Sequence, residues 1–333
     1  MPPLSGPTPV YNNRMAEATM RAIRQQSLGG PEVLELVEVP RPEPGPTEVL
    51  VRAKGAGVNP VDWKTRARGG FLGEPPFTIG WDVAGVVEET GRGVTRFAPG
   101  DCVFGMPRFP HEAAAYAEYV TSPSRQLARI PDGLGDVEAA ALPLAGLTAW
   151  QALVETAEVQ PDQRVLILAA AGGVGHLAVQ IAKARGTYVI GTARAAKHAF
   201  LAELGADEAV DYTSEAVEER VRDVDVVLDL VGGESSHSVL PTLRDGGIFI
   251  VVPSSVGLES LRELAGDRVR VTGILVEPDR MGLEAIADLV AAGSLRPHVS
   301  HTFPLADAAR AHELGETGRT QGKLVLTVDG GKH

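Results

Sequence analysis

A glycine-rich turn lies between a short apolar run and a segment with helical periodicity, and it restricts the fold more than any other feature. The apolar run is Arg164–Ala169, and the turn reads AAAGGVG from Ala169 to Gly175. Apolar residues then recur at helical spacing until Gly186 ends the helix. A buried strand, a glycine turn and a helix in this order predict a βαβ unit with a parallel sheet.

The glycines of this turn also predict a ligand. Gly172 and Gly173 let the backbone approach a pyrophosphate, and the helix that follows presents its first N–H groups to the anion. We therefore predict that Ala171, Gly172, Gly173 and Val174 bind a dinucleotide. Alanine stands at position 169, where the fingerprint usually has its first glycine, and a small alanine can serve there if its φ is negative. The alternative is a tight turn without a ligand.

The end of the next predicted strand, Tyr188–Thr192, indicates which nicotinamide cofactor binds. NAD is usually recognised there by an acidic residue that accepts from the ribose 2′-hydroxyl. Here Ala193 takes that place, and Arg194 and Lys197 follow. A guanidinium and an ammonium suit a 2′-phosphate, so the sequence predicts NADPH. The alternative is that both cations are merely solvated.

Length, charge and cysteine content exclude several classes of protein. A chain of 333 residues suits two domains, and its net charge of −12 without a dense basic run argues against nucleic acid as a partner. No apolar segment has the length of a membrane span. With a single cysteine, Cys102, the chain cannot form an intrachain disulfide, which fits a cytoplasmic protein. We expect the side chain of Cys102 to pack within a strand. We predict that residues 1–19 form a mobile tail.

The residue pattern changes near Asp136. Before it, alternating runs such as Glu48–Ala56 predict half-buried strands between proline and glycine turns. After it, apolar strands and helices alternate, which predicts an α/β protein whose parallel sheet is covered on both faces. Beyond about Leu295 the elements become short and mixed again. The further strands predicted after Asp136 are Ala209–Tyr212, Val224–Leu230, Gly247–Val252, Val269–Ile274 and Lys323–Val328.

From Met20 to Val328 the chain resembles the medium-chain dehydrogenase/reductase superfamily, and within it the zinc-free quinone oxidoreductase branch. The resemblance implies a GroES-like, β-rich catalytic domain (residues 20–145 and 281–333) and a Rossmann NADPH-binding domain (146–280), with the cofactor between them. It also implies a homodimer. Besides the glycine turn, the motifs are Gly57–Asp62, Gly80–Gly85, Pro99–Val103, Tyr116–Val120, Ala141–Ala149 and Gly322–Leu326.

The resemblance also locates the positions at which zinc-dependent relatives bind their catalytic metal. Those relatives use a cysteine and a His–Glu pair, and here the matching positions are Asn59, Trp81 and Asp82. Asparagine and tryptophan are not zinc ligands, so we predict no metal site. Without a metal to polarise an alkoxide, simple alcohol oxidation is disfavoured.

The matched motifs supply three candidate catalytic residues. Hydride addition to a quinone or to the β-carbon of an enone leaves negative charge on an oxygen, which needs hydrogen-bond donors. Asn59 is expected to donate through its amide, and Thr148 is expected near the nicotinamide. Many relatives have a tyrosine where this chain has Lys64, which we expect to offer a proton or a charge if burial lowers its pKa. Trp63 and Trp81 are candidates for the pocket wall or the core.

The resemblance adds further cofactor residues. Tyr212 resembles a tyrosine beside the adenosine phosphates, and Lys197 resembles a phosphate-binding lysine. Val231 belongs to the loop beneath the adenine and ribose. Ser254 is expected near the nicotinamide ribose, and Lys323, which belongs to the motif Gly322–Leu326, is also expected to bind the cofactor.

Three functions fit these residues. The favoured one is a zinc-independent NADPH-dependent oxidoreductase that acts on a small quinone or an α,β-unsaturated carbonyl compound. The second is a non-catalytic protein that binds NADPH as a sensor or for stability. The third, disfavoured by the missing ligands, is a zinc-dependent alcohol dehydrogenase.

Overall fold

The computed structural model describes residues 18–252 and 257–328. The strands are β1 (Thr19–Gln25), β2 (Glu35–Pro40), β3 (Glu48–Val58), β4 (Phe77–Thr78), β5 (Val83–Thr90), β6 (Cys102–Gly105), β7 (Tyr119–Pro123), β8 (Leu127–Arg129), β9 (Arg164–Ile167), β10 (Tyr188–Thr192), β11 (Glu208–Val210), β12 (Val224–Asp229), β13 (Leu243–Val251), β14 (Arg270–Gly273), β15 (Val299–Pro304) and β16 (Lys323–Thr327). The α-helices are α1 (Pro60–Arg68), α2 (Asp136–Ala140), α3 (Pro143–Trp150), α4 (Gly175–Ala184), α5 (His198–Glu203), α6 (Val217–Arg220), α7 (Glu234–Val239), α8 (Leu258–Ala265), α9 (Arg280–Ala291) and α10 (Ala308–Glu316).

The middle of the chain forms a parallel sheet in the order β11-β10-β9-β12-β13-β14. The order reverses between β9 and β12, which opens a crevice at the carboxyl ends of these two strands. This is the predicted doubly wound Rossmann-type sheet. The glycine turn follows β9 directly, so it lies at the crevice.

Both faces of this sheet are buried, which explains why its strands are continuously apolar. Side chains alternate between the two faces of a strand. In β9, Val165 and Ile167 join the core that contains Leu177 of α4, whereas Leu166 joins the core on the other face with Phe249. All five side chains are fully buried. Helices on both faces therefore cover the sheet, as the apolar runs predict.

The two ends of the chain share the second part of the fold. Its larger sheet has the order β15-β16-β3-β5-β6-β8, with β7 also paired to β3. The C-terminal β16 runs antiparallel to β3, with Leu324 opposite Val58. The predicted GroES-like, β-rich fold is thereby confirmed. The exact domain bounds stay predictions, and α3 runs as one helix across the proposed boundary after residue 145.

Two expectations about single segments are wrong. Thr19 already belongs to β1, so the tail cannot extend to residue 19; residues 1–17 lie outside the described part of the chain. Cys102 begins β6 with an exposed side chain, because the first residue of this strand faces away from the core. Within the described ranges, no helix combines the length and the apolar character needed to cross a bilayer.

Candidate active site

The glycine turn leaves β9 in a conformation other than the one in which we expected an alanine to serve. Ala169 has a φ of +51°, not a negative value. This left-handed conformation costs an L-residue about 1 kcal/mol. The end of β10 supports it, because Ala169 N donates to Thr192 Oγ1 (3.1 Å) and Ala170 N donates to Thr192 O (3.0 Å). A Cβ on Gly175 would lie 2.7 Å from Ala170 Cα, so only glycine lets α4 start this close to β9.

The turn has the properties that an anionic ligand requires. Gly172, Gly173 and Val174 are half-buried, whereas Ala171 is 3% exposed and its carbonyl accepts from Gly322 N at 2.9 Å. A helix starts at this point, and its first N–H groups have no acceptor within the helix. The residues present therefore fit the pyrophosphate of a dinucleotide.

A basic corner, which we define as Arg194, Lys197 and Tyr212, lies beyond the ends of β10 and β11. Arg194 is exposed and donates from Nε to Tyr212 Oη at 3.3 Å. Lys197 Nζ donates to the carbonyls of Arg319 (3.0 Å) and Thr320 (3.1 Å). Partial burial and the nearby Arg194 lower the pKa of Lys197. The structure thus brings three predicted cofactor residues to one corner of the sheet.

The end of β12 forms the other wall of the crevice. Val231 is 52% exposed, so its side chain is accessible to a ligand at this edge. Asp229 Oδ1 holds its loop by accepting from Val231 N (2.8 Å) and Gly232 N (2.9 Å). An apolar surface at this edge suits the flat adenine or ribose of a cofactor. Ser254, predicted near the nicotinamide ribose, lies outside the described residues.

A buried charge cluster, which we define as Asn59, Asp82 and Lys323, lies where β3, β5 and β16 meet. Asn59 Nδ2 donates to Asp82 Oδ2 at 2.8 Å, and Lys323 Nζ donates to Asn59 Oδ1. Lys323 Nζ also donates to Val58 O (2.9 Å) and lies 3.7 Å from Asp82 Oδ2. Asp82 Oδ1 accepts from Leu144 N at 2.8 Å. All three side chains are at most 3% exposed.

Burial acts on both charges of this cluster. It raises the pKa of Asp82 and lowers the pKa of Lys323, because removal from water penalises each charged form. Their mutual attraction acts in the opposite direction on both pKa values, and the hydrogen bond from Asn59 also lowers that of Asp82. Each charge is therefore acceptable only while the other is present. The alkyl stem of Lys323 lies against the turn, since a Cβ on Gly173 would be 3.3 Å from Lys323 Cδ.

The comparisons with known proteins agree with this architecture. Residues 45–132 match the alcohol dehydrogenase GroES-like domain family, and residues 204–326 match the zinc-binding dehydrogenase family. The structure of a quinone oxidoreductase from Coxiella burnetii is 39% identical, with a TM-score of 0.89 over 94% of this chain and 100% of that one. A 2-haloacrylate reductase from Burkholderia sp. is 34% identical over 90% of this chain and 96% of the relative. The Escherichia coli quinone oxidoreductase, solved in complex with NADPH, is 31% identical, with a TM-score of 0.83 over 93% of this chain and 100% of that one.

The chain belongs to the medium-chain dehydrogenase/reductase superfamily, in its quinone oxidoreductase branch. It is accordingly an oxidoreductase that uses a nicotinamide cofactor. The resemblance found from the motifs is confirmed at this level.

The structure places the other candidate catalytic residues in different surroundings. Thr148 is buried in α3, and its hydroxyl donates to Leu144 O at 2.7 Å. Lys64 lies on the exposed side of α1, so the expected burial of its side chain is absent. It lines a cleft of about 680 Å³ together with Trp63. Trp81 is a core residue, fully buried, and its indole N–H donates to His111 O at 2.7 Å.

Sequence reasoning missed a second buried network next to the cluster. Tyr116 Oη donates to Asp62 Oδ2 (3.0 Å) and lies 3.2 Å from His312 Nε2. Arg66 Nη1 is 3.1 Å from His312 Nδ1, and Arg66 pairs with Glu316. Since Arg66 can only donate, His312 Nδ1 is an acceptor and Nε2 carries the proton. Asp62 and Tyr116 lie within recognised motifs, but nothing in the sequence points to His312.

Burial determines the protonation of this network. It raises the pKa of Asp62 to about 7, with a further contribution from the charge of Asp82. Burial, aided by Arg66, lowers the pKa of His312 to about 3. The histidine is therefore neutral at physiological pH, which agrees with the hydrogen bonds it makes. Asp62 also accepts from Asn59 N at 2.6 Å, so this network supports the backbone of a candidate catalytic residue.

Proposed function

We propose that the chain is a zinc-independent, NADPH-dependent reductase of small quinones or α,β-unsaturated carbonyl compounds. The observation that carries the proposal is the buried ammonium of Lys323 beside Asn59 and Asp82, next to the cofactor turn. It supplies a fixed positive charge at the positions that match the metal ligands of zinc-dependent relatives.

Zinc independence is supported by the chemistry of these side chains. The Asp82 carboxylate is the only anionic member of the cluster, and it already faces an ammonium at 3.7 Å. A divalent cation placed there would be repelled by Lys323 and would gain neither thiolate nor imidazole from Asn59. In the described ranges no group of three or more His, Cys, Asp or Glu side chains has a metal-binding arrangement. A zinc-dependent alcohol dehydrogenase is therefore the weaker candidate.

NADPH is favoured over NADH by the basic corner. Arg194 and Lys197 carry positive charge to the place where a 2′-phosphate would lie, and the E. coli relative was solved with NADPH. One carboxylate, Asp211, lies at the same corner. Its oxygens already accept from Thr213 N (3.0 Å), Thr213 Oγ1 (2.6 Å) and Ala195 N (3.2 Å), so it is engaged within the protein.

The reaction requires little more than orientation and a donor to the substrate oxygen. When bound, the nicotinamide supplies a hydride. Asn59 has one amide hydrogen engaged by Asp82, and we propose that the second donates to a quinone or carbonyl oxygen. Lys323 fixes the amide plane through Oδ1, and its charge favours the oxyanion. Lys64 remains the candidate that returns a proton to the product.

The substrate class is supported by the relatives. One reduces a 2-haloacrylate and others are quinone oxidoreductases, and both substrate types place new electron density on an oxygen conjugated to the site of hydride addition. A donor at that oxygen serves both. The chain is expected to accept small, flat, conjugated acceptors.

A substrate screen tests the proposal. Purified protein should oxidise NADPH in the presence of small quinones or enones, with the same rate after treatment with a chelator. Asn59→Ala should lower kcat about 100-fold and leave the Kd for NADPH nearly unchanged, since one oxyanion donor is lost. Stoichiometric zinc together with chelator-sensitive activity would refute zinc independence. Tight NADPH binding without turnover of any acceptor would favour the non-catalytic sensor.

We further propose a cytoplasmic homodimer. Among the described residues, the edge strand β14 pairs with β13 on one side only, and the exposed Leu264 and Leu275 lie on either side of β14 in the chain. An unprotected edge with apolar neighbours suits pairing with a second copy. Light scattering should give twice the chain mass, and Leu275→Glu should shift the protein towards the monomer. A wild-type monomer would refute the dimer.

A further inference from the structure

A buried histidine, His176, lies in the first turn of α4, immediately after the glycine turn. Its side chain is fully buried and both ring nitrogens have partners. Nδ1 lies 2.9 Å from Gly172 O, and Nε2 accepts from His298 N at 3.1 Å. A carbonyl oxygen can only accept and a backbone N–H can only donate, so Nδ1 carries the proton and Nε2 is unprotonated.

The surroundings keep this imidazole neutral. Burial, mainly, lowers the pKa of His176 to about 4, and the charge of Lys323 contributes. Phe200 covers the ring, with centroids 6.5 Å apart and an interplanar angle of 27°. The tautomer is therefore set by the structure, and a protonated ring would place two donors, Nε2 and His298 N, against each other.

The bond to Gly172 has a direct consequence for the cofactor turn. A peptide unit is planar, and its C=O and N–H point in opposite directions. Gly172 O also accepts from His176 N at 3.1 Å, so two bonds from one residue fix the plane between Gly172 and Gly173. The Gly173 N–H is then directed away from His176. This N–H belongs to the group expected to face a pyrophosphate.

His176 also joins the turn to the catalytic part of the chain. His298, which donates to its Nε2, accepts from Lys323 N at 2.8 Å. Lys323 in turn donates to Asn59 Oδ1. Hydrogen bonds through His176, the backbone of His298 and the two ends of Lys323 thus connect the Gly172 carbonyl to the candidate catalytic amide. Gly322 N, which donates to Ala171 O at 2.9 Å, gives a second link between the same two parts.

We propose that His176 is a positioning residue, which aims the Gly173 N–H at the cofactor pyrophosphate through its Nδ1–H bond to the Gly172 carbonyl. The inference rests on the proposed dinucleotide function. It assigns a role in cofactor affinity to a side chain that has no contact with solvent. The second hydrogen bond of His176, from His298 N to Nε2, holds the ring in the orientation that the bond to Gly172 O requires.

Two substitutions separate the two ring nitrogens. The amide nitrogen of an asparagine takes the place of Nδ1, and the amide oxygen of a glutamine takes the place of Nε2. His176→Asn should keep the Kd for NADPH within twofold of wild type, because the donor to Gly172 is retained. His176→Gln should raise that Kd roughly five- to tenfold, the change expected for one lost hydrogen bond. Fluorescence titration of NADPH measures both.

Gln180 supplies a matched control. It lies one turn further along α4 and joins the helix to the same segment, with its Nε2 donating to Arg296 O (3.0 Å) and its Oε1 accepting from Arg296 N (2.8 Å). Its Nε2 also donates to His176 O at 2.8 Å, but it makes no hydrogen bond to residues 169–175. Gln180→Leu should lower the Tm and leave the Kd for NADPH unchanged. Hydrogen exchange in the cofactor-free protein should show faster exchange over residues 169–176 in His176→Gln than in His176→Asn.

The outcomes distinguish the possibilities. If His176→Asn and His176→Gln weaken NADPH equally, or only in proportion to their loss of Tm, the histidine is structural and the inference is wrong. Unchanged affinity and exchange in both variants also overturn it. If the wild-type protein itself fails to bind NADPH, the proposed function fails first.

Discussion

The basic corner and the buried charge cluster both contain lysine, but the surroundings give the two lysines different roles. Lys197 is half-buried, next to the exposed Arg194, and these cations are accessible to a ligand. Lys323 is 3% exposed and its ammonium is satisfied by Asn59, Val58 O and Asp82. From this difference we expect that changes at the corner affect cofactor selectivity with little effect on stability, whereas loss of one charge from the cluster destabilises the fold and impairs the chemistry.

The largest effect is expected from removing the buried cation. Lys323→Met leaves the Asp82 carboxylate buried without its partner. Breaking a buried pair in this way should lower the free energy of unfolding by about 3–5 kcal/mol. Chemical denaturation measures it. A loss below about 1 kcal/mol, the usual value of a surface pair, would remove the contrast between the two lysines.

The control for that experiment removes both charges. Asp82→Asn combined with Lys323→Met should recover a large part of the lost stability, because no uncompensated charge stays in the core. The matched substitution at the corner, Lys197→Met, should change the free energy of unfolding by less than about 1 kcal/mol. A double variant no more stable than Lys323→Met would show that packing, not charge, is the cause.

A side chain on the cofactor turn should give the next largest effect. Gly173→Val adds atoms where the backbone must approach the pyrophosphate, and its Cβ would already meet Lys323 Cδ at 3.3 Å. The Kd for NADPH should rise at least about 100-fold, or roughly 2.7 kcal/mol. Circular dichroism should show a folded protein. Retained affinity would contradict the assignment of this turn to the cofactor.

Loss of the exposed guanidinium should have a smaller and selective effect. Arg194→Ala should raise the Kd for NADPH about 10- to 100-fold, since hydrogen bonds to charged groups contribute roughly 1.5–3 kcal/mol. The Kd for NADH, which lacks the 2′-phosphate, should change less than threefold. The Tm should stay the same, in contrast to Lys323→Met. Equal losses for NADPH and NADH would refute the specificity argument.

The two regions also differ in how far they follow from the sequence. The corner depends on residues within 18 positions of each other, Arg194 and Tyr212, at the ends of neighbouring parallel strands. Neighbouring parallel strands bring their ends together, although Tyr212 itself was identified through the family resemblance. The cluster joins Lys323 to Asn59 across 264 positions, and only the pairing of β16 with β3 brings them together. Lys323 was therefore expected at the cofactor, whereas its ammonium points into the catalytic part.

The residue types in the sequence also did not predict the local backbone conformation of the glycine turn. Ala169 was expected to serve only at a negative φ because alanine carries a Cβ, but the bonds from Ala169 and Ala170 to Thr192 impose +51°. His176 had no motif of its own beyond the helical pattern, since its partners are a loop carbonyl and a backbone N–H 122 positions away. Periodicity predicts elements, but tertiary contacts decide where polar groups find partners.

The last effect concerns the network beside the cluster, and it appears only as a dependence of stability on pH. Burial raises the pKa of Asp62 from 3.8 to about 7, and its Oδ1 has no hydrogen-bond partner among the described residues. Between these values the folded protein holds a proton that the unfolded chain has released. The contribution of Asp62 to stability is therefore fully present below the unfolded pKa and is lost as the pH rises to the folded one.

In Asp62→Asn this loss is absent, so the stability of the variant relative to wild type should increase by about 1 kcal/mol for each pH unit from pH ~5 to ~7 and then level off. Denaturation of both proteins across this range measures it, with the exposed Asp132→Asn as the control that should show no trend. A difference between Asp62→Asn and wild type that does not change with pH would mean that Asp62 ionises as an ordinary surface carboxylate, in spite of its burial.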